Sequence, residues 1–143
     1  MKALPTTLPP DLWLRDGSFR DVYLSNTSVH DWDAFLAVAT QYPSEYLFDG
    51  QVRGMPSLVA IFENRQGTHL LRITVGAAQI NCHFLTPDEI EFDIDPRQVE
   101  SQEAHFAILR FVERVADATG KLAKITPENS PELPILSYEP DGE

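Results

Sequence analysis

The sequence predicts an α+β fold in a single domain, a largely antiparallel sheet with two main helices packed on one face. Glu89 to Asp95 reads Glu-Ile-Glu-Phe-Asp-Ile-Asp, which puts Glu89, Glu91, Asp93 and Asp95 on one strand face and Ile90, Phe92 and Ile94 on the other. Two more alternating runs precede it across turn-forming residues, so a meander with one wet face sits mid-chain. Apolar residues at helical spacing around Trp32 and Phe111 supply helices for the dry face. A chain of 143 residues fits one domain, burying roughly 70% of its unfolded surface. The domain is expected over 11–126, after a proline-rich segment at 1–10 that Leu4 and Leu8 would anchor, and before an extended tail at 127–143.

Leu12-Trp13-Leu14 and Phe19 to Ser25 flank Asp16-Gly17, a turn signal that would close a hairpin. Ser28 reads as an N-cap with Asp31 three residues on, and Trp32, Phe35, Leu36 and Ala39 follow at helical spacing up to Tyr42-Pro43. Tyr46 to Phe48 is a short strand candidate. Pro56 to Glu63 favours helix, since proline suits a first helical position and Leu58, Ile61 and Phe62 share a face.

The clearest pairing follows. A two-residue Gly76-Ala77 loop, glycine first as in a type II′ turn, places Thr74 opposite Gln79, Arg72 opposite Asn81 and Leu70 opposite His83. Only an odd loop at Thr86-Pro87-Asp88 keeps Ile90 and Phe92 on the side of Phe84 and Cys82. Three residues there pair His83 with Glu91, Asn81 with Asp93 and Gln79 with Asp95. A helix over 101–119 buries Ala104, Ile108, Phe111, Val112 and Val115, has His105 on its flank and ends at Gly120. Leu122 to Thr126 returns as a strand, and Ile135, Leu136 and Tyr138 in the tail can dock on the body.

Asp and Glu number 22 against 11 Lys and Arg, a formal net charge of -11. That balance speaks against nucleic acid and anionic membranes as partners, because both reward clustered Lys and Arg. It suits a basic protein partner or, more plainly, solubility. The longest apolar runs, Phe35 to Ala39 and Leu58 to Phe62, are five residues each, too short for a membrane span. Early prolines interrupt any secretory signal, and the one cysteine, Cys82, leaves no internal disulfide, so the expected compartment is cytoplasmic.

On the wet face the registers gather Arg72, Asn81, His83, Glu89, Glu91, Asp93 and Asp95. A histidine opposite a carboxylate is an acid/base geometry, with Glu91 orienting His83 and raising its pKa. The plainer reading is a set of cross-strand polar pairs, each worth roughly 0.2–1 kcal/mol. No cofactor or metal is expected. Asp93 and Asp95 lack the glycine turn and twelfth-position acid of a calcium loop, Ala104 standing there. Cys82 and His83 point to opposite faces, and His30, His69 and His105 have no ligand spacing. Neither a nucleophile elbow nor a phosphate loop is present, and Cys82 reads as a small core residue. Trp13, Tyr23, Tyr46 and Phe48 would line a groove or, more commonly, join the core.

In size, acidity and lack of a catalytic motif the chain is similar to bacterial immunity and antitoxin-like proteins, a likeness of composition that assigns no residue a role. The leading expectation is a non-enzymatic, immunity-like or regulatory binding module holding a basic partner on Glu89, Glu91, Asp93 and Asp95, with His83, Arg72 and Asn81 beside them. One alternative is a small hydrolase or transferase with His83 as general base and Arg72 holding an anion. Another is a structural homodimer subunit.

Overall fold

The computed structural model describes residues 12–140. The proline-rich segment 1–10, with Leu4 and Leu8, lies outside them. The elements are β1 (Arg20–Ser25), α1 (Val29–Ala39), β2 (Ser44–Phe48), β3 (Gln51–Arg53), α2 (Leu58–Glu63), β4 (His69–Val75), β5 (Ala78–Thr86), β6 (Glu89–Ile94), α3 (Gln102–Thr119), β7 (Ala123–Pro127) and β8 (Leu136–Tyr138). The strands form one antiparallel sheet in the order β3-β2-β4-β5-β6-β1-β7-β8, and the helices pack against it in a single α+β domain.

The β4–β5–β6 meander has the expected heart. Thr74 pairs with Gln79, Arg72 with Asn81 and Leu70 with His83; His83 pairs with Glu91 and Asn81 with Asp93. At the first turn Gly76 has φ +62, a positive value at the first central residue as a type II′ turn needs. The second turn differs from the three-residue expectation. Only Pro87 and Asp88 form the loop, and a register shift between His83 and Thr86 absorbs the odd residue. A bulge preserves the same parity as a longer loop, so Phe84, Cys82, Phe92 and Ile90 still share the buried face. Gln79 does not meet Asp95. The strand stops at Ile94, and Asp95 turns away to cap a 3-10 turn at Pro96–Gln98.

The hairpin expected around Asp16-Gly17 does not form. Asp16 accepts hydrogen bonds from the Ser18 N–H and hydroxyl, while Arg20 Nε donates to the Leu12 carbonyl at 2.8 Å, fixing Leu12 as a buried loop residue. β1 is thereby free to enter mid-sheet, paired with β6 on one side and β7 on the other. The chain leaves β1 through α1 to reach β2, and leaves β6 through α3 to reach β7, so both long helices lie on the same face.

Their residues explain their ends and packing. Ser28 and Asp31 form a capping box, satisfying two otherwise orphaned N–H groups. α1 stops at Ala39, before Tyr42-Pro43. Ser57 caps α2 and Ser101 caps α3, which ends at Gly120 with φ +70. Phe35 stacks on Phe92 with centroids 5.8 Å apart, and Phe111 meets Phe92 edge-on at 5.6 Å. Each such buried ring contributes roughly 1.5–3 kcal/mol relative to exposure. His105, expected on the α3 flank, is buried and its Nδ1 accepts from Trp13 Nε1 at 2.8 Å. Segment 127–143, expected as an extended tail, supplies β8, with Tyr138 buried against the body.

Candidate functional site

The face opposite the helices carries the candidate residues, and the registers order them in rows. Glu45, Arg72, Asn81, Asp93, Asp21 and Thr126 run across β2, β4, β5, β6, β1 and β7. Leu47, Leu70, His83, Glu91, Tyr23 and Lys124 form the next row across the same strands. Glu89 follows opposite Ser25. The face therefore has an apolar end and an acidic middle.

Asp93, rather than Glu91, holds the histidine. His83 Nε2 lies 2.6 Å from Asp93 Oδ2, a diagonal pair across β5 and β6, and Asn81 Nδ2 donates to Asp93 Oδ1 at 3.1 Å. The hydrogen bond to Asp93 is the main reason the His83 pKa is raised; burial opposes it, and the charges of Asp93, Glu91 and Asp21 add to the rise. Glu91 is left facing His83 without that bond. Its own pKa is raised, first by burial and then by the charge of Asp21, with Glu89 and Asp93 adding to it and His83 opposing.

Two members of this cluster come from β1. Asp21 is buried, and its Oδ2 accepts both the Asn129 N–H at 2.8 Å and the Tyr23 hydroxyl at 3.0 Å. Burial raises its pKa, the two hydrogen bonds oppose this, and Asp93 and Glu128 push it up further. The Tyr23 phenol is held neutral, by burial first and then by Asp21. The β7–β8 connection lies over this corner, with Asn129 on Asp21 and Lys124 Nζ donating to the Pro131 carbonyl at 3.3 Å. Among the described residues, Asp21, Glu89 and Glu91 form no ion pair with a lysine or arginine.

Two expected members stand apart. Asp95 is neutralised by Arg97, whose guanidinium donates to Oδ1 at 3.1 Å and to Oδ2 at 2.8 Å, and this hydrogen bonding holds its pKa low. Arg72 leans toward Glu45 at 3.8 Å. Cys82, expected as a small core residue, is buried on the far side of the sheet, and burial pushes its thiol pKa up. The four aromatic candidates share no groove: Tyr23 is on this face, Tyr46 and Phe48 line a cavity on the helical side, and Trp13 packs on His105. Among the described residues no group of three or more His, Cys, Asp or Glu side chains is arranged to hold a metal ion, and no helix is long and apolar enough to cross a membrane.

Comparison with protein-family models, curated proteins and solved structures finds no match for the chain. Function is therefore read from the site itself.

Proposed function

We propose that the protein is a non-enzymatic binding module whose open sheet face engages a basic protein partner. One observation carries the reading: Asp21, Glu91 and Asp93 stand on adjacent strands, among the described residues no lysine or arginine is paired to Glu91 or Asp21, and the pKa values of Asp21 and Glu91 are raised by burial first and then by repulsion from their carboxylate neighbours. Partner cations would relieve that repulsion. An exposed field of one sign accelerates encounter with the opposite sign and makes affinity salt-dependent. The same face offers apolar area beside the charge, with Val52 60% and Leu85 48% exposed, and an interface with apolar contacts next to charge suits a protein partner.

The test compares wild type with a Glu91→Lys, Asp93→Lys double variant as baits for source-cell lysate at low and moderate salt, with circular dichroism confirming the fold of both. A basic protein retained by wild type and lost by the variant is the expected result. Identical captures by both baits would sink the proposal.

The 2.6 Å His83–Asp93 pair favours a second reading, a hydrolase or transferase acting through His83. A turnover found in the protein and unchanged in His83→Ala eliminates that reading.

A further inference from the structure

We infer that the helical side of the sheet holds a separate small-molecule site, a cavity of about 420 Å³ suited to a small aromatic monocarboxylate. It lies where the β2–β3 hairpin and the start of β4 run past the short helix α2. The alternation of β2 turns Tyr46 and Phe48 to this side and Glu45 and Leu47 to the acidic face. Arg53 is the register partner of Tyr46 and His69 that of Phe48, so four side chains from three strands converge on one spot.

The lining sorts into two kinds. Phe48, Pro56 and Ala60 supply apolar wall, and Tyr46, Arg53, Asn64 and His69 supply polar groups. An apolar concavity with a few convergent polar groups is the usual make-up of a ligand site, and its volume is within the ordinary range of roughly 300–1,000 Å³.

Arg53 selects the ligand's charge. Among the described residues it is the only Asp, Glu, Lys or Arg in the lining, a cation in a chain of net charge -11. Its guanidinium stands 5.1 Å over the Phe48 ring and, among the described residues, bonds only Gln51 Oε1, at 3.2 Å, which leaves donors for a planar carboxylate. Phosphate would be held by the cation but would gain nothing from the apolar wall.

The geometry of the polar floor selects one tautomer of the neutral His69 ring. His69 Nε2 lies 2.8 Å from the Asn64 carbonyl, which can only accept, so Nε2 carries the proton. Nδ1 of the neutral ring then accepts from the Tyr46 hydroxyl at 2.5 Å. Neither group has a proton to offer a ligand, which leaves Arg53 as the anchor and Tyr46 and His69 as a rigid wall.

The test is a ¹H–¹⁵N NMR titration of the full chain with benzoate, benzamide and inorganic phosphate. Saturable shifts with benzoate at the lining residues are expected, with binding at least tenfold weaker for benzamide and phosphate. Arg53→Gln, on an exposed edge strand whose loss of charge leaves the amide spectrum dispersed, should weaken benzoate at least tenfold. The Glu91→Lys, Asp93→Lys variant should bind it as wild type does. No saturable shift, benzamide or phosphate binding as tightly as benzoate, or undiminished binding in Arg53→Gln overturns the inference.

Discussion

Asp21→Asn is expected to stabilise the protein at neutral pH, although it removes a buried group that accepts two hydrogen bonds. Both bonds end on the same oxygen, Oδ2, so a carboxamide of equal shape can present its oxygen there and keep them. What is lost is charge assistance, which at roughly 1 kcal/mol per bond costs about 2 kcal/mol. What is gained is freedom from burying a charge, the main reason the Asp21 pKa is raised, and then relief of repulsion. Asp93 is the direct cross-strand partner of Asp21, and two unit charges some 5–6 Å apart at an effective dielectric near 20 repel by about 3 kcal/mol. With the burial cost of the carboxylate added, the gain exceeds the loss by something on the order of 1 kcal/mol, which corresponds to roughly 2–4 °C in Tm for a chain of this size. The raised pKa of Asp21 has the same sign, because it means that the site as a whole disfavours the ionised form despite both bonds. A carboxyl whose folded pKa is raised favours folding when protonated, so wild-type stability rises as pH falls through that pKa toward 3.8 and the variant's advantage closes. Urea unfolding at pH 8 and pH 4 reads both points. A loss of more than about 1 kcal/mol at pH 8 would refute the reasoning, since charge-assisted bonds would then outweigh repulsion, and so would a gain of equal size at pH 4.

Two further outcomes follow from the same coordinates. The raised pKa of His83 means that its stabilising contribution is complete below the ordinary histidine value near 6.5 and is lost as pH rises through the folded value; thermal unfolding between pH 6.5 and 8.5 should show Tm falling more steeply in wild type than in Asp93→Asn, and equal slopes would remove Asp93 as the cause. A Cβ added at Gly67 would stand 2.3 Å from Phe48 Cζ and 2.5 Å from Cε1, so Gly67→Ala must swing that ring, at a cost of about 1–3 kcal/mol by overpacking, and should also weaken benzoate binding. A urea midpoint within error of wild type would show instead that the ring moves freely.

The meander was legible because turn chemistry and parity constrain each other. Gly76-Ala77 sets one register, and the requirement that Phe84, Cys82, Ile90 and Phe92 share a face sets the next whichever way the odd residue is absorbed. Long-range pairing was not. Alternation in Phe19 to Ser25 reveals a strand but not its neighbours, and nothing local says that β1 lies between β6 and β7. Asp21 is therefore the functional-site residue that sequence reasoning missed, although its alternation with Val22 is visible once the strand is paired. The Asp16-Gly17 turn signal misled because the Arg20 side chain captures the Leu12 carbonyl, a tertiary contact that outweighs a dipeptide preference. β3, three exposed residues, carries no apolar pattern to find. The cavity on the helical side joins Tyr46, Arg53 and His69 through register alone, and no spacing along the chain announces it.

The exchange of Glu91 for Asp93 as the partner of His83 changes which charges the face can offer. Asp93 spends both oxygens on β5, one on Asn81 and one on His83, so it works as a clamp between strands. Glu91 and Glu89 keep their carboxylates clear of any such bond, and Asp21 lies behind them as a buried source of negative field. The histidine is affected in the opposite sense. A general base at neutral pH must be free of its proton, whereas Asp93, Glu91 and Asp21 all favour the imidazolium, and the nitrogen nearest the carboxylates is already engaged. The same electrostatics that hinder His83 as a base strengthen the face as a surface for cations, which is why the binding reading stands ahead of the catalytic one.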